Sequence, residues 1–117
     1  MLRDPGLFLQ DIQEAGRKVQ VLVLNLDLPA FSADWRTRDA VLHNLEVIGE
    51  AVKRLPDGLK AGFPGIPWKR IAGFRDVLAH AYFSLDDSIV WDVATHQVEA
   101  LLEAVAAMLA ELDGSGQ

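Results

Sequence analysis

The chain has 117 residues, half of them hydrophobic and 24% charged, with a formal net charge of −6 and no cysteine. That length suits one domain with a real core, and the absence of cysteine excludes a disulfide framework and a thiolate zinc site. The acidity, if evenly spread, argues against a nucleic-acid binder, because phosphate contacts supply most of such affinity.

The charge is not evenly spread. Residues 1–52 carry about −3; residues 53–75 carry about +5 through Lys53, Arg54, Lys60, Lys69, Arg70 and Arg75 against Asp57; residues 76–117 carry about −8 with no lysine or arginine. A basic stretch suits an anionic ligand, and two turns of solvated lysine and arginine is the competing reading. Met1-Leu2-Arg3-Asp4-Pro5-Gly6 has no signal-like apolar core behind it, and no apolar run approaches 18 residues. A soluble cytoplasmic protein without membrane association is expected.

In chain order, Asp4-Pro5 reads as a helix start. Phe8, Ile12, Ala15, Val19, Leu22 and Leu26 then step by 4, 3, 4, 3, 4 along one face. Leu28-Pro29-Ala30-Phe31 is expected to interrupt that helix. Ser32 or Asp34 can cap a second, in which Val41, Leu45, Ile48, Val52 and Leu55 form the apolar stripe. Pro56-Asp57-Gly58 marks its end. Gly49, in the middle, should cost about 1 kcal/mol relative to alanine, so close approach of another helix is expected there. Asp39, His43 and Glu46 could ligate a metal on neighbouring turns, against the blander reading of a solvated charged face.

Residues 59–67 hold Gly62, Pro64, Gly65 and Pro67 and read as a connector with room for one short helical turn. Pro67 opens a third helix, where Trp68, Ile71, Arg75, Leu78 and Tyr82 step by 3, 4, 3, 4. Arg75 thus occupies an inward position and must find an anion or acceptors; Glu46 and Glu50 are the structural candidates. Leu85-Asp86-Asp87 caps a fourth helix, with Trp91, Ala94, Val98, Leu101, Val105, Met108 and Leu112 on one face as far as Asp113-Gly114. His96 with Asp92 and Glu99 forms a second weak carboxylate and histidine set. The expectation is an all-α antiparallel four-helix bundle, one domain over residues 1–113 with a flexible tail at 114–117.

No phosphate loop, nucleophile elbow or zinc motif is present. The densest chemistry is Arg75-Asp76-Val77-Leu78-Ala79-His80-Ala81-Tyr82. Asp76 and His80 are adjacent on a helix, whereas Arg75 and His80 lie about 140° apart. They converge only if the helix ends or bends near Ala79 or a second copy contributes. Arginine with histidine suits phosphodiester cleavage: an imidazole, ordinarily titrating near pH 6.5, can exchange protons with a ribose hydroxyl, and a guanidinium can neutralise a phosphorane.

Trp68 through Phe83, with Asp86 and Val90-Trp91 behind it, resembles the RxxxxHxY region of HepT-like HEPN proteins, and Ile48-Gly49-Glu50-Ala51 resembles that family's second-helix motif. The resemblance spans nearly the whole chain and implies a dimeric helical bundle that acts as a metal-independent endoribonuclease toxin without a cofactor. It makes Arg75 and His80 the catalytic pair, with Asp76 at the polar position after the arginine, where relatives carry asparagine or aspartate. Tyr82 matches the tyrosine to which a partner minimal nucleotidyltransferase antitoxin adds AMP. RNA is then the expected substrate, with Lys53, Arg54, Lys69 and Arg70 as its binding cations. The alternative is a non-catalytic helical module that holds a nucleotide or regulates the nucleotidyltransferase; a purely structural dimer is third.

Overall fold

The computed structural model describes residues 4–80 and 85–115, and every regular element among them is helical. In order these are α1 (Pro5–Val23), α2 (Leu28–Ala33), α3 (Trp35–Arg54), α4 (Asp57–Ala61), α5 (Trp68–His80), α6 (Asp87–Asp92), a π-helical turn (Val93–Gln97) and α7 (Val98–Ser115). The all-α class is as expected. Two short helices, α2 and α4, stand where a break and a stop were read.

Aspartates set the helix starts. Asp4 accepts from the Gly6 amide at 2.8 Å, Asp27 from Ala30 at 2.9 Å, and Asp86 from Ser88 at 2.8 Å. Asp34 accepts from both Arg36 and Thr37, at 3.2 and 3.3 Å. Each satisfies an amide that the first turn leaves without an intrahelical acceptor. Hydrogen bonds from Thr37 hold the Asp34 carboxyl below its ordinary range, and those from Ser88 do the same for Asp86.

The expected first stripe ran to Leu26, but α1 stops at Val23 because Asn25 takes a left-handed φ of 64° just past the cap, a position asparagine tolerates. The buried face is Leu9, Ile12, Ala15, Gly16, Val19 and Val23, rotated slightly from the predicted one, so Phe8 and Leu22 are only partly covered. Leu28-Pro29-Ala30-Phe31 does not merely interrupt. Asp27 caps it into α2, and Phe31 is fully buried with its ring 5.3 Å from Trp91. Burying such a side chain contributes about 1.5–3 kcal/mol.

The predicted stripe of the second helix holds without exception in α3 and its cap: Val41, Leu45, Ile48, Val52 and Leu55 are all buried. Pro56-Asp57-Gly58 follows the end of α3 as read, and then starts α4. The connector is tied to α5 by Trp68, whose indole N–H donates to the carbonyls of Lys60 at 3.1 Å and Phe63 at 3.0 Å.

The last long helix carries a feature the periodicity did not announce. Its buried residues Val90, Ala94, Val98, Leu101, Val105 and Met108 begin with two consecutive steps of four, a drift of about 80° at 3.6 residues per turn. The π turn at Val93–Gln97 takes up part of that drift. Gln97 reaches back five residues to Asp92 at 3.0 Å, and the Thr95 hydroxyl donates to the Trp91 carbonyl at 2.7 Å. α7 continues through Ser115, past the expected stop at Asp113-Gly114. Asp87–Gly114 is long and apolar enough to cross a membrane, with a mean hydropathy of 1.2. In the bundle its apolar stripe is core and its outer side carries Glu99, Glu103 and Glu111.

α1 packs on both α3 and α7, whereas α5 packs chiefly on α3. The core therefore lies between α1, α3 and α7, with α5 laid against one side of it.

Candidate active site

α5 buries only Trp68 and Leu78. Its approach to α3 is made close by Gly49: a methyl group added there would stand 2.5 Å from Arg75 Cβ and 3.4 Å from its Cα. The mid-helix glycine thus has the packing reason expected of it, and that contact delivers Arg75 to the α3 surface.

Around Arg75 the two helices share a ladder of alternating charge. Lys53 Nζ lies 3.3 Å from Asp76 Oδ1; Arg75 Nη1 is 3.5 Å from the same oxygen; Arg75 Nε is 3.3 Å from Glu50 Oε2; and Arg54 Nη2 is 3.1 Å from Glu50 Oε1. Glu50 is therefore the carboxylate that Arg75 finds. The Lys53 hydrogen bond, and its charge, hold the Asp76 carboxyl below the ordinary range, with Arg75 adding to the effect. Arg75 Nε is buried, and although Glu50 is within ion-pair reach, its N–H has no acceptor in hydrogen-bonding alignment. Charge, more than directed bonding, holds that edge of the guanidinium.

Arg75 lines an open groove of about 480 Å³ between α1, α3 and α5, together with Phe8, Asp11, His43, Glu46 and Glu50. His43 is the groove residue the sequence did not connect with Arg75. The signal was available: His43, Glu46 and Glu50 step by 3 and 4 along one face of α3.

His80 is elsewhere. It is exposed in the last turn of α5, which is helical through both Ala79 and His80, so no bend or end ahead of His80 brings it to Arg75. The two residues lie about 140° apart around the helix and about 7.5 Å along it. Within one protomer they do not share the groove. Asp76, expected beside His80, directs its carboxylate to Lys53 and Arg75. Tyr82 lies outside the described residues.

The four expected RNA-binding cations divide. Lys53 and Arg54 are engaged by Asp76 and Glu50, while Lys69 and Arg70 are exposed at the start of α5. Of the weak metal sets, His96 pairs with Asp92 at 3.2 Å on an exposed face. Among the described residues no group of three histidine or carboxylate side chains is arranged to hold a metal ion.

Residues 12–108 match the family described as Ribonuclease HepT-like. Curated relatives include "Putative RNase MJ0127" of Methanocaldococcus jannaschii, 33% identical over 98% of this chain and 95% of its own length. "Probable ribonuclease HepT" of Thermococcus cleftensis is 36% identical over 86% of this chain and 92% of its own. "Putative RNase TTE0752" of Caldanaerobacter subterraneus is 32% identical over 92% and 96%. No solved structure matches the chain.

Proposed function

The chain belongs to the Ribonuclease HepT-like family, and from that membership we propose that it is an endoribonuclease that cleaves RNA without a metal, by attack of the ribose 2′-hydroxyl. The observation that carries the reading is the family match over 12–108, which encloses the whole Arg75 to His80 stretch and the Gly49-Glu50 contact that supports it.

In this reading an imidazole of His80 takes the 2′-hydroxyl proton as the oxygen attacks phosphorus, and Arg75 neutralises the phosphorane. A protonated imidazole gives its proton to the departing 5′ oxygen. The products are a 2′,3′-cyclic phosphate and a 5′-hydroxyl. One chain supplies one His80, and its Arg75 faces another direction, so the working unit is a symmetric homodimer in which two copies complete the site. The setting is a cytoplasmic toxin–antitoxin pair. A minimal nucleotidyltransferase antitoxin joins the Tyr82 oxygen to the α-phosphorus of ATP and releases pyrophosphate, and the added AMP silences the site by bulk and negative charge.

The test is incubation of the purified protein with RNA in EDTA. Cleavage to a cyclic phosphate that disappears in His80→Ala supports the mechanism; equal cleavage by that variant, or a strict metal requirement, overturns it. Mass spectrometry after incubation with the nucleotidyltransferase and ATP should find AMP on Tyr82, and an unmodified tyrosine removes that part.

One observation favours a second reading. Both carboxylates nearest Arg75 are already engaged with it, as suits a regulatory module that binds a nucleotide or the nucleotidyltransferase without turnover. Calorimetry showing nucleotide binding beside an RNA assay showing no cleavage would select that module.

A further inference from the structure

At the junction of α4 and α5 a surface notch of about 530 Å³ is lined by Asp57, Lys60, Trp68, Lys69 and Arg70, among others. Three cations there face one carboxylate, a local excess of positive charge on an acidic chain. Lys60 is a fixed cation: its side chain is 18% exposed, with Nζ 3.5 Å from the Val52 carbonyl and 3.6 Å from Asp57 Oδ1. Trp68 clamps the connector so that Lys60 stays beside the start of α5. Lys69 and Arg70 are exposed and make no hydrogen bond or ion pair among the described residues, unlike Lys53 and Arg54.

The notch is also aligned with His80. Lys69, Gly73, Asp76 and His80 step by 4, 3, 4 and so share one outward stripe of α5. The stripe is open, since a methyl group added at Gly73 would meet nothing within 4 Å. The one anion on it, Asp76, is offset by Lys53. From Lys69 to His80 the rise is about 16 Å, the length of about five stacked nucleotides.

We propose that Lys60, Lys69 and Arg70 form a backbone-phosphate anchor for RNA at the start of α5, from which the strand runs along the helix toward His80. The anchor rests on the ribonuclease reading and adds to it a place and a path for the substrate. It contacts phosphates and not bases, so it is indifferent to sequence. Asp57 weakens it by competing for Lys60.

The experiment measures anisotropy of labelled 2′-O-methyl RNA, which cannot be cleaved by 2′-hydroxyl attack, across a salt series with the full chain. The double variant Lys69→Ala, Arg70→Ala should bind about tenfold more weakly and lower the salt slope by about 1.4, two single-strand phosphate contacts. Lys53→Ala with Arg54→Ala should lose less, Asp57→Asn should bind more tightly, and Arg17→Ala with Lys18→Ala, which removes the same two charges from an exposed part of α1, should match wild type. Circular dichroism confirms that each variant is folded. Unchanged binding by the Lys69, Arg70 pair, a larger loss from the Lys53, Arg54 pair, or displacement of the RNA by ADP in a Lys69-dependent way overturns the anchor. Cleavage of unmodified RNA by wild type separates the two readings: if cleavage persists while the anchor fails, only the anchor is lost, and if wild type neither binds nor cleaves RNA, both are.

Discussion

α3 and α5 lie against each other, yet they are held by different forces. α3 buries seven residues, Val41, Leu42, Leu45, Ile48, Gly49, Ala51 and Val52, whereas α5 buries Trp68 and Leu78. The scaffold helix is fixed by deep apolar packing; the helix that carries Arg75 and His80 is fixed by one buried indole, one buried leucine, the half-buried Ile71, Ala72 and Phe74, a glycine contact and a charge ladder. Of the two helices, α5 is the one the core constrains less, and it carries the proposed catalytic residues, as is common where side chains must meet a substrate.

The sharpest way to break this comparison is to change one residue on each side and read both stability and turnover. His80→Ala should lower RNA cleavage by about 10²- to 10⁴-fold while leaving the melting temperature unchanged, because His80 is exposed. A parallel collapse of stability would place it in the structural class instead. Leu42→Ala should cost about 2–5 kcal/mol in denaturant unfolding, since Leu42 is 1% exposed in the α3 core. Leu78→Ala should fall toward the low end of that range, and an equal cost would mean that α5 is as tightly built as α3.

A finer test sets two glycines against each other. Gly49→Ala pushes a methyl group into the Arg75 backbone region and should destabilise by about 1–3 kcal/mol, less the gain of about 1 kcal/mol in helix propensity. Gly16→Ala meets Leu102 Cδ2 at 2.6 Å, the far end of a partly exposed side chain that can swing aside, so it should be nearly neutral by thermal melting. The smallest effect is that of pH. Asp34, Asp76 and Asp86 all have folded-state pKa values below the ordinary 3.8, so their contributions are complete above that value and are lost as pH falls through the depressed ones. The melting temperature should stay level from neutral pH to about 5 and decline below about 4; a decline already near pH 6 would contradict the assignment.

Most of the fold was legible because burial imposes a period. The stripe from Val41 to Leu55 was read without error, and Ala94 to Met108 lie in the core as the pattern said. The failures came where one residue's backbone or side chain overrode the pattern. Asn25 ended α1 early through a positive φ, Asp27 turned an apparent break into α2, and the π turn hid inside a run of apolar steps. For the site, the reason for Gly49 followed from the cost of a glycine inside a helix, which points to a close approach, and the pairing of Arg75 with Glu50, one of the carboxylates expected, from the rule that an inward cation needs an anion. The groove partner His43 did not, because the groove needs α1, α3 and α5 brought side by side; the notch at Lys60 did not, because it depends on how the connector turns α4 against the start of α5.

The ladder joining α3 and α5 has an odd number of members: Lys53, Arg54 and Arg75 against Glu50 and Asp76. Its one surplus positive charge is set against Asp11 and Glu46, which line the same groove, so the ladder ties α3 to α5 without offering the groove a net cation.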